Sequence, residues 1–94
     1  MGTDRTPDLM LKLADWFAGP ASDEGLSYTS NQKYAPHIHT VGERQLPKMT
    51  LMGWQRRDWV IEVRDADKEV NRTGRVYLTD EGRRIVEAVR SASD

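Results

Sequence analysis

The side chains with the most capacity for directed chemistry in this 94-residue chain are basic, and they fall in two stretches. Arg44, Lys48, Gln55, Arg56 and Arg57 lie close together, opposed locally only by Glu43 and Asp58. Lys68, Arg72 and Arg75 follow in a second polar segment. Arginine and lysine can meet phosphate oxygens or guanine edges, and a glutamine amide can pair with adenine. The same charges also serve an ordinary solvated surface, so their grouping has to be weighed against the whole. Fourteen basic and fifteen acidic side chains leave a net charge of −1. Affinity for a polyanionic backbone comes largely from positive charge, so indiscriminate coating of nucleic acid is excluded. A locally positive face on a nearly neutral domain is the pattern that remains.

Other chemistries are weaker. His37 and His39 alternate, so on a strand they would face one side and offer two nitrogens to a metal. The sequence identifies no third ligand, and ordinary, partly exposed histidines are the expectation. The chain has no cysteine, which removes disulfides, thiolate chemistry and cysteine-based zinc sites. Asp65, Asp67 and Glu69 lack the surrounding pattern of a calcium loop. Gly42 and Gly74 belong to no phosphate-binding glycine cluster, and no serine stands in a nucleophile elbow. The expectation is therefore no catalytic residue, no metal, no cofactor and no enzymatic activity. No apolar run exceeds three residues, and the chain opens on polar residues rather than on an export segment. A cytoplasmic location without a membrane partner is expected.

The elements that must position the basic residues can be read along the chain. Thr6 as N-cap, Pro7 and Asp8 open a first helix, with Leu9, Leu13, Trp16 and Phe17 as its apolar stripe and Gly19–Pro20 as its stop. Ala21 to Asn31 reads as a linker. Between residues 26 and 38 the pattern is ambiguous: Gln32 to Ala35 could form a short helix, with Tyr28 and Tyr34 beneath the first one. Thr40 to Glu43 has capping-box spacing. Either a helix starts near Thr40 and bends at Pro47, or a turn precedes a helix whose first residue is Pro47. Both versions end near Asp58. Trp59 to Val63 reads as a strand, Arg64 to Arg75 as a charged loop with Asn71, Thr73 and Gly74 turning it, and Val76 to Leu78 as a second strand. Thr79 caps a final helix with Ile85, Val86 and Val89 buried; Gly82 in its first turn implies a neighbour too close for a side chain.

Leu51, Trp54, Asp58, Trp59 and Val60 resemble the junction of recognition helix and wing in winged-helix transcription regulators of the MarR and PadR type. The run Tyr77, Leu78, Thr79, Asp80, Glu81, Gly82, Arg83 is similar to the exit from their second wing strand. The likeness covers about Leu46 to Val89. Asp58 stands where the family carries glycine, and the support helix before the recognition helix is interrupted by Pro36. The resemblance implies an α+β fold, a winged helix-turn-helix with a two-stranded wing and a C-terminal helix. Residues 1–94 would form one domain, with 1–5 and 91–94 frayed. The implied function is sequence-specific binding of double-stranded DNA by a non-catalytic transcription regulator, through Arg44, Lys48, Gln55, Arg56, Arg57, Lys68, Arg72 and Arg75. A homodimer would double the contacts of one small reading head, with Leu9 and Val89 open to either dimer face or core. The competing expectation is a winged-helix module for a protein partner, or an accessory protein of a mobile element. An exposed Trp54 or Trp59 among acidic residues would favour the protein partner.

Overall fold

The computed structural model describes residues 5–31, 35–67 and 71–93. Element order is α1 (Thr6–Trp16), α2 (Ala21–Glu24), β1 (Leu26–Asn31), β2 (Ala35–Val41), β3 (Arg44–Pro47), α3 (Lys48–Arg56), β4 (Val60–Asp67), β5 (Asn71–Leu78) and α4 (Asp80–Ser93). The strands form one antiparallel sheet in the order β3-β2-β1-β5-β4. This is an α+β domain, but the expected two-stranded wing is only one edge of a five-stranded sheet.

The expected linker Ala21–Asn31 is instead α2 and the central strand β1. Ala35 belongs to β2 rather than to a short helix, and positions 32–34, including Tyr34, lie outside the described residues. The apparent capping box at Thr40–Glu43 is a hairpin. Val41 pairs with Arg44, and the two residues between them, Gly42 and Glu43, have φ of 60° and 70°. Such a two-residue connection needs left-handed backbone at both positions, which suits the twist of the flanking strands. Helix α3 therefore begins at Lys48 with Pro47 as its extended N-cap, close to the second of the two sequence alternatives. Strand β3, not a support helix, comes directly before α3.

α3 joins the two edges of the sheet, from β3 to β4. Five strands put those edges about 19 Å apart, and nine helical residues cover about 13 Å. With the turns at each end, α3 must lie across the sheet. Trp54 anchors it there: the side chain is wholly buried, its Nε1–H donates to the Leu9 carbonyl at 3.0 Å, and Trp16 and Phe17 meet it edge-on at 6.2 Å. Leu9, Leu13 and Phe17 of α1, Val86 of α4, and Tyr28, Val41, Leu46, Val60 and Val76 of the sheet complete the same core. The intervening sheet residues Ser27, Thr29, Thr40, Ile61 and Val63 are exposed.

Three local expectations meet the structure in detail. Asp58 has φ of 60°, Trp59 N–H donates to Trp54 O at 3.0 Å, and Asp58 N–H donates to Gln55 O at 3.1 Å. That pair of bonds is a Schellman closure with aspartate in the left-handed place. The Thr79 hydroxyl accepts the Gly82 N–H at 3.0 Å, which caps α4. A Cβ on Gly82 would collide with the Trp59 carbonyl, the close approach that its position implies. Thr6, by contrast, is not the N-cap of α1. Arg5 takes that place without a side-chain cap, and the Thr6 hydroxyl accepts from Arg57 at 3.3 Å.

Candidate ligand-binding surface between helix α3 and the β4–β5 hairpin

Strand register determines which side chains face α3. Ser30 pairs with His39 on one side and Arg72 on the other, while Tyr28 pairs with Val41 and Gly74, and Gly74 with Arg64. Because opposed residues of an antiparallel sheet share a face, His39, Arg72, Tyr28 and Arg64 all reach the helix-covered side. Gly74 stands between Tyr28 and Arg64 with no side chain of its own. A Cβ there would come within 2.9 Å of Arg64 Cα, so glycine also permits the close approach of β4 and β5. The strands run well past the limits expected from sequence, since most of the anticipated loop Arg64–Arg75 is β4 and β5.

The result is a polar pocket of about 130 Å³ between α3 and the sheet. Lys48, Met52 and Gln55 form its helical wall, and Glu62, Arg64 and Arg72 its hairpin wall. Tyr28 and His39 lie at its base, both buried. The Tyr28 hydroxyl and His39 Nδ1 are 3.4 Å apart and share a long hydrogen bond. Burial lowers the His39 pKa below its usual 6.5; Glu62 works against that shift, and Lys48 and Arg72 reinforce it. Burial likewise raises Tyr28. Arg64 Nε donates to Glu62 Oε2 at 2.8 Å, holding a carboxylate whose side chain is only 11% exposed.

The structure divides the sequence-derived basic set. Lys48, Gln55 and Arg72 come together at the pocket. Arg56 is exposed in the last turn of α3, beside Gln55. Arg44 is drawn to α1, stacked 3.9 Å over the Trp16 ring and paired with Asp15 at 3.1 Å. Arg57 is held by the Gly53 carbonyl at 3.2 Å and by the Thr6 hydroxyl at 3.3 Å. Arg75 points to the opposite face from Arg72 and donates to Glu24 O at 2.9 Å and Gly25 O at 3.2 Å, tying α2 to β5. Lys68 lies outside the described residues. Sequence reasoning missed Tyr28, Glu62 and Arg64 as members of the site. Their signal was alternation: Tyr28 with Ser30, and Glu62 with Arg64, occupy every second place of a strand.

His37 is exposed whereas His39 is buried against Tyr28, so the two histidines do not act as a pair. Among the described residues, no group of three or more His, Asp or Glu side chains could hold a metal ion. Leu9 belongs to the core; Val89 lines an open apolar groove with Leu11, Ala88 and Ala92 between α1 and α4. No helix among the described residues is long and apolar enough to cross a membrane. The chain matches no protein-family model, no curated protein and no solved structure.

Proposed function

We propose that the chain is a non-catalytic, sequence-specific binder of double-stranded DNA, with α3 as the reading helix and the β4–β5 hairpin as a wing mounted on a larger sheet. One observation carries this reading. Lys48 and Gln55 from α3 and Arg72 from a distant hairpin converge with Arg64 on one concave surface. Beside them, Arg56 is exposed on the same helix. A helix of this size fits the major groove, where Gln55 and Arg56 can address base edges. Lys48 and Arg72 supply phosphate contacts that fix orientation. Arg44, Arg57 and Arg75 drop out of the interface, because none of them lines this surface and each makes its contacts elsewhere, with Asp15, with Gly53 O and Thr6, and with Glu24 O and Gly25 O. A homodimer would present two such surfaces to a two-fold site. The tryptophans do not favour a protein partner: Trp54 and Trp59 are in the core.

Selection from a random duplex library at fixed salt tests the reading, followed by titrations with single variants. Arg56→Ala should cost about 1–3 kcal/mol of discrimination at one base position. Arg72→Ala should weaken related sites evenly and lower the salt slope by about one. Arg84→Ala, on α4 and paired with Glu81, should change neither. Failure to enrich any duplex at low salt with folded protein defeats the proposal.

A further inference from the structure

We propose that β4 pairs with β4 of a second copy of this chain, antiparallel and centred on Val63, joining two five-stranded sheets into one. β4 lies at the edge of the sheet, with β5 as its one neighbour among the described residues. Its eight residues include neither proline nor glycine. Such an edge presents a row of backbone donors and acceptors and is a template for another strand. The opposite edge, β3, has only four residues and ends in Pro47, which has no N–H to donate.

Backbone parity selects the centre of the pairing. Trp59 O accepts from Thr79 N–H at 3.0 Å, one step before the Val60–Leu78 pair. Hydrogen-bonded and non-hydrogen-bonded pairs alternate along an antiparallel ladder, so Ile61 and Val63 turn their N–H and C=O groups to β5. A Cβ on Gly74 would collide with the Val63 carbonyl, which places that oxygen on the β5 side. Val60, Glu62 and Arg64 therefore turn their backbone groups to the edge. Val60 is 2% exposed, so the edge is closed there. The bulge after Arg64 ends the regular ladder at the other end. Within the open stretch a two-fold axis through Val63 sets Glu62 opposite the partner's Arg64, and each such pair exchanges both its N–H···O bonds. An axis through Glu62 would need the closed backbone of Val60.

The side chains agree with the same centre. With Val63 on the axis, positions of unlike sign oppose each other on the helix-covered face; with Glu62 on the axis, two carboxylates would meet. Unlike charges directly across a pair of strands attract, and like charges repel. Each Arg64 keeps its own Glu62, bound at 2.8 Å, and the cross-strand neighbour adds to that contact without replacing it. On the outer face Val63 stands opposite its own copy, in a non-hydrogen-bonded pair whose side chains approach closely. Ile61 is its diagonal neighbour across the strands. Ile61 and Val63 are each 49% exposed, and the two copies merge them into one apolar strip. Because opposed residues share a face, the helices of both copies lie on one side of the joined sheet.

Sedimentation of the full chain, from about 10 μM to about 1 mM, tests the pairing, because an interface this small is a weak one. The samples contain no DNA and the dimer does not depend on DNA binding, so failure of either reading leaves the other standing. A reversible dimer is expected. Val63→Lys, at an exposed position, sets like charges opposite each other and should weaken the dimer at least about tenfold. Thr40→Lys, exposed on β2 of the same outer face, should leave it unchanged. The chain has no cysteine, so a single introduced one reports the register. Val63→Cys brings two Cα atoms to about 4.5 Å, within disulfide reach, whereas Ile61→Cys leaves them about 14 Å apart. Oxidation should link Val63→Cys at least about tenfold faster than Ile61→Cys. A monomer throughout the range, an unweakened dimer of folded Val63→Lys, or equal cross-linking at the two positions overturns the proposal.

Discussion

Replacing Gly82 by alanine sets helix propensity against packing, and the two give opposite signs. Within a helix, alanine is favoured over glycine by about 1 kcal/mol, so propensity alone makes Gly82→Ala stabilising. The structure reverses that. A Cβ at this position would strike the Trp59 carbonyl oxygen, standing 2.9 Å from the carbonyl carbon and 3.1 Å from Leu78 Cδ2. Carbon atoms rest about 3.5–4.0 Å apart. The obstacle is backbone and cannot swing aside: Trp59 N–H is bound to Trp54 O, and Trp59 O accepts from Thr79 N–H, both at 3.0 Å. The first turn of α4 must therefore withdraw, weakening Thr79 N–H to Trp59 O and the Thr79 hydroxyl to Asp58 O. Two hydrogen bonds at about 1 kcal/mol each and overpacking of about 1–3 kcal/mol outweigh the propensity gain. The net expectation is a loss of roughly 2–4 kcal/mol, or about 10–25 °C in Tm for a domain of this size. Urea unfolding followed by tryptophan fluorescence, with thermal melts by circular dichroism, measures it. A Tm equal to or above that of the parent would refute the close approach of α4 to β4.

Asp58→Gly should act the other way, because glycine adopts the left-handed conformation at φ of 60° without strain. The expected gain is roughly 0.5–1 kcal/mol after glycine's greater freedom in the unfolded chain is subtracted; a lower midpoint in urea would contradict the Schellman closure. Leu13→Ala should cost about 2–5 kcal/mol, since Leu13 is wholly buried, and Ile85→Ala less, since Ile85 is only partly so. Reversal of that order in chemical denaturation would place the core wrongly. The lowered pKa of His39 makes stability pH-dependent. As pH falls through 6.5, the unfolded chain takes up a proton before the folded one, so stability present above 6.5 is lost towards the lower folded pKa. His39→Gln should flatten that dependence, and an NMR-titrated His39 pKa at or above 6.5 would exclude it.

What could be read from the sequence is whatever local geometry dictates. The stripes of α1 and α4 follow helical spacing, Thr79 is a cap because its hydroxyl reaches an N–H three residues on, and β4 begins at Val60, next to the change of apolar period at Trp59. The left-handed Asp58 is suggested only through the winged-helix resemblance, and Gly82 in a helical turn signals a close neighbour without revealing that it is the Trp59 carbonyl, distant in the chain. Strands β1 to β3 were not legible. Their inward places hold Tyr28, Ser30 and His39 as well as Val41 and Leu46, so burial leaves no clean apolar alternation, and Pro36 reads as an interruption. Reading Arg64–Arg75 as a loop also hid the parity by which Arg72 and Arg75, three residues apart on one strand, face opposite sides. The site itself belongs to tertiary structure alone. Lys48, His39, Arg64 and Arg72 become neighbours only because β5 pairs with β1 and α3 must cross from one sheet edge to the other. Such pairings join residues far apart in the chain, and no local propensity encodes them; the shared core around Trp54 selects them.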